Sequence, residues 1–233
     1  MPTNVVFMNA GQSGAGNAFI SSRITESNRK FKFCDTDLIA VMWTTYCRID
    51  YYKSDRRWQT PGNIYTQNML SESTVRELED PNWFLMRDLS LIDLTTTYLE
   101  GLPCDVLQFM SVPLTYNYFQ NLRLDKISTS IINTYSNLEN KVPTNLFEFM
   151  GRRWSDKIRY LNDDGTDFID YHPGPVDYAN YLNSIKVPIT SEAVEYAEES
   201  YRRISNGTRL TKERILDMFP EVEYYQGAAN KSL

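Results

Sequence analysis

Short apolar runs alternate along this chain with longer stretches of helical spacing. Val5-Val6-Phe7-Met8 is β-rich and stops at Asn9-Ala10-Gly11-Gln12-Ser13-Gly14-Ala15-Gly16-Asn17, after which helical spacing runs from about Asn17 to Glu26. Strand, glycine-bearing turn and helix, in that order, is the βα grammar of an open sheet. Asp37-Leu38-Ile39-Ala40-Val41-Met42-Trp43 is continuously apolar after its first residue, which predicts a strand buried on both faces. Residues 51 to 80 are rich in Tyr, Arg and Ser and read as mostly irregular, with Pro61-Gly62 as a turn signal.

Beyond residue 80 the helical period returns. Phe84, Leu85, Leu89, Ile92 and Leu99 predict a helix from Asn82 to Leu99, with Gly101 stopping it. Asp105 to Val112 predicts a third strand closed by Pro113, and residues 115 to 138 predict helix. Thr144 in Pro143-Thr144-Asn145-Leu146-Phe147 reads as an N-cap, and Pro175 as the first residue of a helix carrying Tyr178, Tyr181, Leu182 and Ile185. Ser191 is expected to cap a charged amphipathic helix ending at Asn206-Gly207, and a last short helix is expected from Thr211. The pattern predicts an α/β fold with a mostly parallel sheet over residues 1–187 and a helical extension over residues 188–233. In such sheets ligands sit beyond the carboxyl ends of the strands, so the loops after Met8, Trp43, Val112 and Ile169 are expected to converge.

Composition removes several classes of function. Of the 233 residues 24 are Lys or Arg and 30 are Asp or Glu, a net charge of −6, so nothing provides the basic footprint that nucleic acid requires. Apolar runs fall short of a membrane span, and the start lacks the features of a signal peptide, which together predict a cytoplasmic chain without a membrane partner. Three widely spaced cysteines, Cys34, Cys47 and Cys104, argue against a disulfide framework and against a thiolate metal site, and read as buried small hydrophobes. The single histidine, His172, must supply any imidazole base, and metal sites built on several histidines are excluded within one chain. No metal and no organic cofactor is expected.

Asp170-Tyr171-His172 is the strongest constellation. An Asp two residues before a His can accept the imidazole Nδ1–H and leave Nε2 free as a base, while Pro173 and Pro175 stiffen the loop. The plainer alternative is a His and Asp that pin a turn to the following helix. The Gly11-x-x-Gly14-x-Gly16-Asn17 turn exposes backbone N–H groups at a helix N-terminus, suited to an oxyanion or another anion, or else is a tight turn and nothing more. It matches neither GxGxxG nor a P-loop. Thr44, Thr45 and Arg48 can donate into the same crevice, although for Arg48 a pairing with Asp50 or Asp55 as ordinary fold maintenance is the favoured reading. Tyr46, with Tyr51, Tyr52, Trp58 and Trp83, can line an aryl- or sugar-binding cleft or simply be core and rim.

Taken together, residues Asn4 to about Ile185 resemble the SGNH (GDSL-type) hydrolase superfamily, in particular its divergent members from phages and marine bacteria. Asp170-Tyr171-His172-Pro173 resembles the last family block with shortened spacing. Asn9-Ala10-Gly11-Gln12-Ser13-Gly14 aligns in two ways. It is similar to the second block, Asn-x-Gly-x-x-Gly before a helix, an alignment favoured because only 24 positions separate Ser13 from Asp37. Gly11-Gln12-Ser13 is also similar to the Gly-Gln-Ser first block of the sialate O-acetylesterase branch.

The resemblance implies a three-layer, flavodoxin-like arrangement and hydrolysis of an O-acyl ester, on a small molecule or a glycan. Ser13 would be the nucleophile, His172 the base and Asp170 its orienting partner, with Gly14 and Thr45 holding the oxyanion and Arg48, Tyr46 and Asn17 meeting the substrate. Trp43-Thr44-Thr45-Tyr46 stands where the family has Gly-x-Asn-Asp, so Thr45 takes the Asn position. Under the second-block alignment the strand bearing the family serine is missing, which implies a homo-oligomer or a second chain supplying that strand. The altered blocks also admit a catalytically inactive member with a binding or structural role.

Overall fold

The computed structural model describes residues 8–12, 14–54, 57–64, 70–78, 80–111, 125–142, 146, 149, 158–161, 167–170, 174–187 and 189–205. The run at 5–7, Ser13, the stretch 171–173, the cap at Thr144 and the helix expected from Thr211 lie outside them. Two compact units emerge, Met1–Asn145 with Tyr225–Leu233, and Leu146–Tyr224.

In the first unit α1 (Asn17–Phe31) leads to β1 (Leu38–Trp43), which pairs in parallel with β4 (Asp105–Met110) from Leu38 opposite Asp105 to Trp43 opposite Met110. Between them in the chain lie β2 (Arg48–Tyr52), β3 (Trp58–Asn63), α2 (Glu72–Leu78) and α3 (Pro81–Glu100). After β4 come α4 (Lys126–Thr134) and α5 (Leu138–Lys141).

Helix α3 forms where its apolar spacing predicts, and its start is chemically specified. Asp80 accepts from the N–H groups of Asn82 and Trp83, and Pro81 stands at the first helical position, where no amide hydrogen is needed. Its inner face, Leu85, Leu89, Ile92 and Leu99, meets Ile24 of α1, Val41 and Trp43 of β1, Met110 of β4, and Leu138 and Val142 in one apolar cluster. Each such side chain contributes roughly 1.5–3 kcal/mol on burial. Trp43 is fully buried, yet its indole N–H is satisfied by the Oε1 of Gln108, which also accepts from Thr96.

Three expectations are corrected here. Strand β1 is buried on one face only: Val41 and Trp43 point into the main apolar cluster with α1 and α3, whereas Leu38 on the other face is 56% exposed. Residues 51 to 80 are not mostly irregular, since β2 and β3 form an antiparallel hairpin and Pro61-Gly62 lies within β3. Among the described residues the strands make three two-stranded sheets, of which only β1–β4 is parallel. The chain is thus a mixed helix-and-strand protein with a small parallel sheet, broadly α/β.

In the second unit β5 (Ile158–Leu161) pairs antiparallel with β6 (Asp167–Asp170). Helix α6 (Pro175–Ser184) starts where Pro175 predicts, with Asp177 accepting from the Gly174 N–H, and it packs against α7 (Ser191–Ser205). The start of α7 is capped by Thr190, whose hydroxyl accepts from the Ala193 N–H, and not by Ser191 as expected, because Ser191 is already the first helical residue. Residues 191–205 are therefore packed on their chain neighbour α6, and both helices lie within the unit Leu146–Tyr224.

Candidate functional site

The carboxyl end of the parallel pair is where the glycine turn arrives. Trp43 O, at the end of β1, accepts from the Ser111 N–H that follows β4. Asn17, the first residue of α1, brackets the next residue: its Nδ2 donates to Thr44 O at 3.2 Å, and its Oδ1 accepts from the Thr44 N–H at 3.0 Å. One buried side chain therefore ties the helix start to the strand end. Asn17, expected from the sequence to meet the substrate, is 1% exposed, with its amide bonded on both sides to the Thr44 backbone.

The turn itself is clamped by the β2–β3 hairpin. Gln12 Nε2 donates to Thr60 Oγ1 at 2.8 Å, and Arg48 Nη1 donates to Ala15 O at 3.1 Å. Gly14 has φ +76, and a Cβ there would stand 2.4 Å from Thr60 O, so glycine is required twice over, by backbone conformation and by space. A Cβ on Gly16 would meet Asp50 Oδ2 at 2.7 Å and Arg48 Cβ at 2.9 Å.

Asp50 closes the arrangement. Its Oδ1 accepts from the Gly16 N–H at 2.8 Å and its Oδ2 from the Phe19 N–H at 2.9 Å, so a carboxylate of the chain itself fills the N-terminus of α1. The helix end expected to receive an external anion is already occupied. Burial pushes the Asp50 carboxyl up, opposed by the two amide hydrogen bonds and by Arg87 and Arg48.

A second acid stands behind the first. Asp88 on α3 is 2% exposed and pushed up to about 7, mainly by burial and further by Asp50, against the pull of Arg87 and a hydrogen bond from Asn17. Arg87 donates through Nη2 to Asp88 Oδ1 at 2.8 Å and to Arg48 O at 2.7 Å, and its guanidinium lies over the rings of Trp83 and Phe84 at 5.0 and 4.8 Å. Cys47, fully buried with φ 72, has its thiol pushed up to about 12 by burial, so it is no nucleophile near neutrality. Cys34, by contrast, is exposed and Cys104 half-buried, which corrects the reading of all three cysteines as buried.

Of the residues expected to hold an oxyanion, Gly14 lies in the turn, while Thr45 is 6% exposed with its hydroxyl sealed from solvent and without a hydrogen-bond partner among the described residues. Arg48 is used on Ala15 O, beside Asp50, the alternative the sequence also offered. Tyr46 packs against both apolar clusters of the unit. Asp170 ends β6 in the second unit, whereas Ser13 and His172 lie outside the described residues. Sequence reasoning missed Asp50 and Asp88 as partners of the turn. An Asp two positions after Arg48 on a strand shares its face, which was the one available signal.

Among the described residues no group of three or more His, Cys, Asp or Glu side chains is placed to hold a metal ion, and no helix is long and apolar enough to cross a membrane. A hollow of about 300 Å³ lined by Leu99, Cys104, Asp105 and Lys141 lies at the opposite, amino-terminal end of β4. No protein-family model matches the chain, and neither a curated protein nor a solved structure does.

Proposed function

We propose that the chain is an SGNH-like serine ester hydrolase acting on an O-acyl ester, in which Ser13 attacks the acyl carbonyl, His172 takes the Ser13 proton and Asp170 orients His172. The alcohol leaves with the proton that His172 returns, and water then releases the acyl group from Ser13. The Gly14 N–H stabilises the oxyanion. A substrate of this kind is a neutral acyl ester, on a small molecule or on a carbohydrate.

The observation that supports this reading most is the pinned turn. Gln12 is hydrogen-bonded to Thr60 and Gly14 lies close against the Thr60 carbonyl, beside the carboxyl end of a parallel strand pair. A catalytic serine needs such a preorganised seat. Hydrolysis of p-nitrophenyl acetate, measured beside Ser13→Ala, His172→Ala and Asp170→Asn, tests it. Loss of about 10³-fold or more in the first two variants is expected, whereas equal rates in all of them would reject the triad.

One finding favours a second reading, a non-catalytic member of the same family that binds without turnover. The Thr45 hydroxyl is closed to solvent, so the expected third-block donor does not face a ligand. A purified chain that binds acylated sugars yet leaves them intact would establish this alternative.

A further inference from the structure

Asp50 has no role in the triad, yet its carboxylate joins the end of the glycine turn to the first helical turn that follows. Its two oxygens take the amides of Gly16 and Phe19, on either side of the first helical turn of α1. The Gly16 Cα is so close to it that a methyl group would collide with both Asp50 Oδ2 and Arg48 Cβ. The carboxylate is itself held from behind, since Arg48 and Arg87 both act on it electrostatically and Arg87 is anchored to Asp88. Carboxylate, glycine and helix start thus fit one another with no slack.

We propose that Asp50 is a positioning residue for the proposed ester hydrolase: by filling the N-terminus of α1 with an internal carboxylate it sets the path of the Gly14–Gly16 backbone, and with it the aim of the Gly14 N–H. A two-oxygen acceptor is needed because two diverging N–H groups are capped at once. An asparagine has one oxygen, and its amide hydrogens oppose the second N–H. The same clamp makes the helix end self-sufficient, so the turn holds its shape before substrate arrives. The inference rests on the hydrolase reading for its catalytic consequence, and on the backbone geometry alone for the clamp.

Two measurements separate these layers. Hydrogen exchange of the full-length chain reads the clamp: in Asp50→Asn the Gly16 and Phe19 amides are expected to lose about tenfold or more of their protection, with the rest of α1 and the thermal midpoint little changed. Ester hydrolysis reads the positioning: Asp50→Asn is expected to lower kcat about 10- to 100-fold with KM within about threefold, a pattern that general destabilisation does not produce. Gly16→Ala, which presses on the same carboxylate from the other side, is expected to reproduce both effects, and Asp93→Asn on α3 neither.

Unchanged amide protection in Asp50→Asn overturns the clamp. Full kcat in Asp50→Asn, in a chain whose activity Ser13→Ala abolishes, overturns the positioning. Should Ser13→Ala keep the wild-type rate, the hydrolase reading fails instead, and amide protection alone then decides for or against the clamp.

Discussion

Asp88 shows how burial can outweigh a favourable partner. Arg87 stands 2.8 Å away, yet desolvation and the neighbouring Asp50 raise the carboxyl from 3.8 to about 7, with Asn17 and the Cys47 thiol the other polar groups facing it. Between these two values the folded chain keeps a proton that the unfolded chain releases, so this group's contribution to stability falls as pH rises from about 4 to about 7, by roughly 4 kcal/mol over the whole span. Urea denaturation at about pH 5 and about pH 8 is expected to show the decline, and Asp88→Asn is expected to flatten it. A wild-type midpoint that rises over this range would contradict the assignment. Gly14 gives a second test at this scale. Gly14→Ala puts a methyl group 2.4 Å from the Thr60 carbonyl at φ +76, and a loss of about 2–4 kcal/mol in thermal or chemical unfolding is expected.

At the scale of elements, α1 and α3 owe their positions to different devices. Helix α3 is fixed by its apolar face and its Asp80 cap, both legible in the sequence, and Leu89→Ala is expected to cost about 2–5 kcal/mol by leaving a cavity beside Trp43, as measured by denaturant unfolding. Helix α1 starts at Gly16, which has no capping side chain, and takes its cap from Asp50, 34 positions away on β2. No local pattern carries that information. The hairpin β2–β3 was unreadable for a similar reason. Tyr51 and Tyr52 are exposed, the pairing is irregular between Ile49 and Tyr51, and Pro61-Gly62 mimics a turn inside a strand, so neither alternation nor turn chemistry marks it.

For the molecule as a whole, the open question is what covers β1. Its inner face joins the main cluster, and among the described residues β4 is its single strand neighbour. Unpaired strand edges invite pairing with another chain. If another chain supplies a strand to this edge, light scattering of the isolated chain is expected to give a dimer or larger species, while a monodisperse monomer across the micromolar range would count against it. The sequence by itself determined the helices with strong apolar period, the strands within 37–43 and 105–112 to within one or two residues, and the turn that precedes α1. These follow from local spacing, which the backbone period converts directly into faces. Only the tertiary structure decided that the helix end beside the turn is already filled by Asp50, that Asn17 is a brace and that the Thr45 hydroxyl is closed off. Those outcomes depend on which distant groups meet once α1, the hairpin and α3 pack together, and hydrogen bonding and desolvation at such meeting points leave no period along the chain.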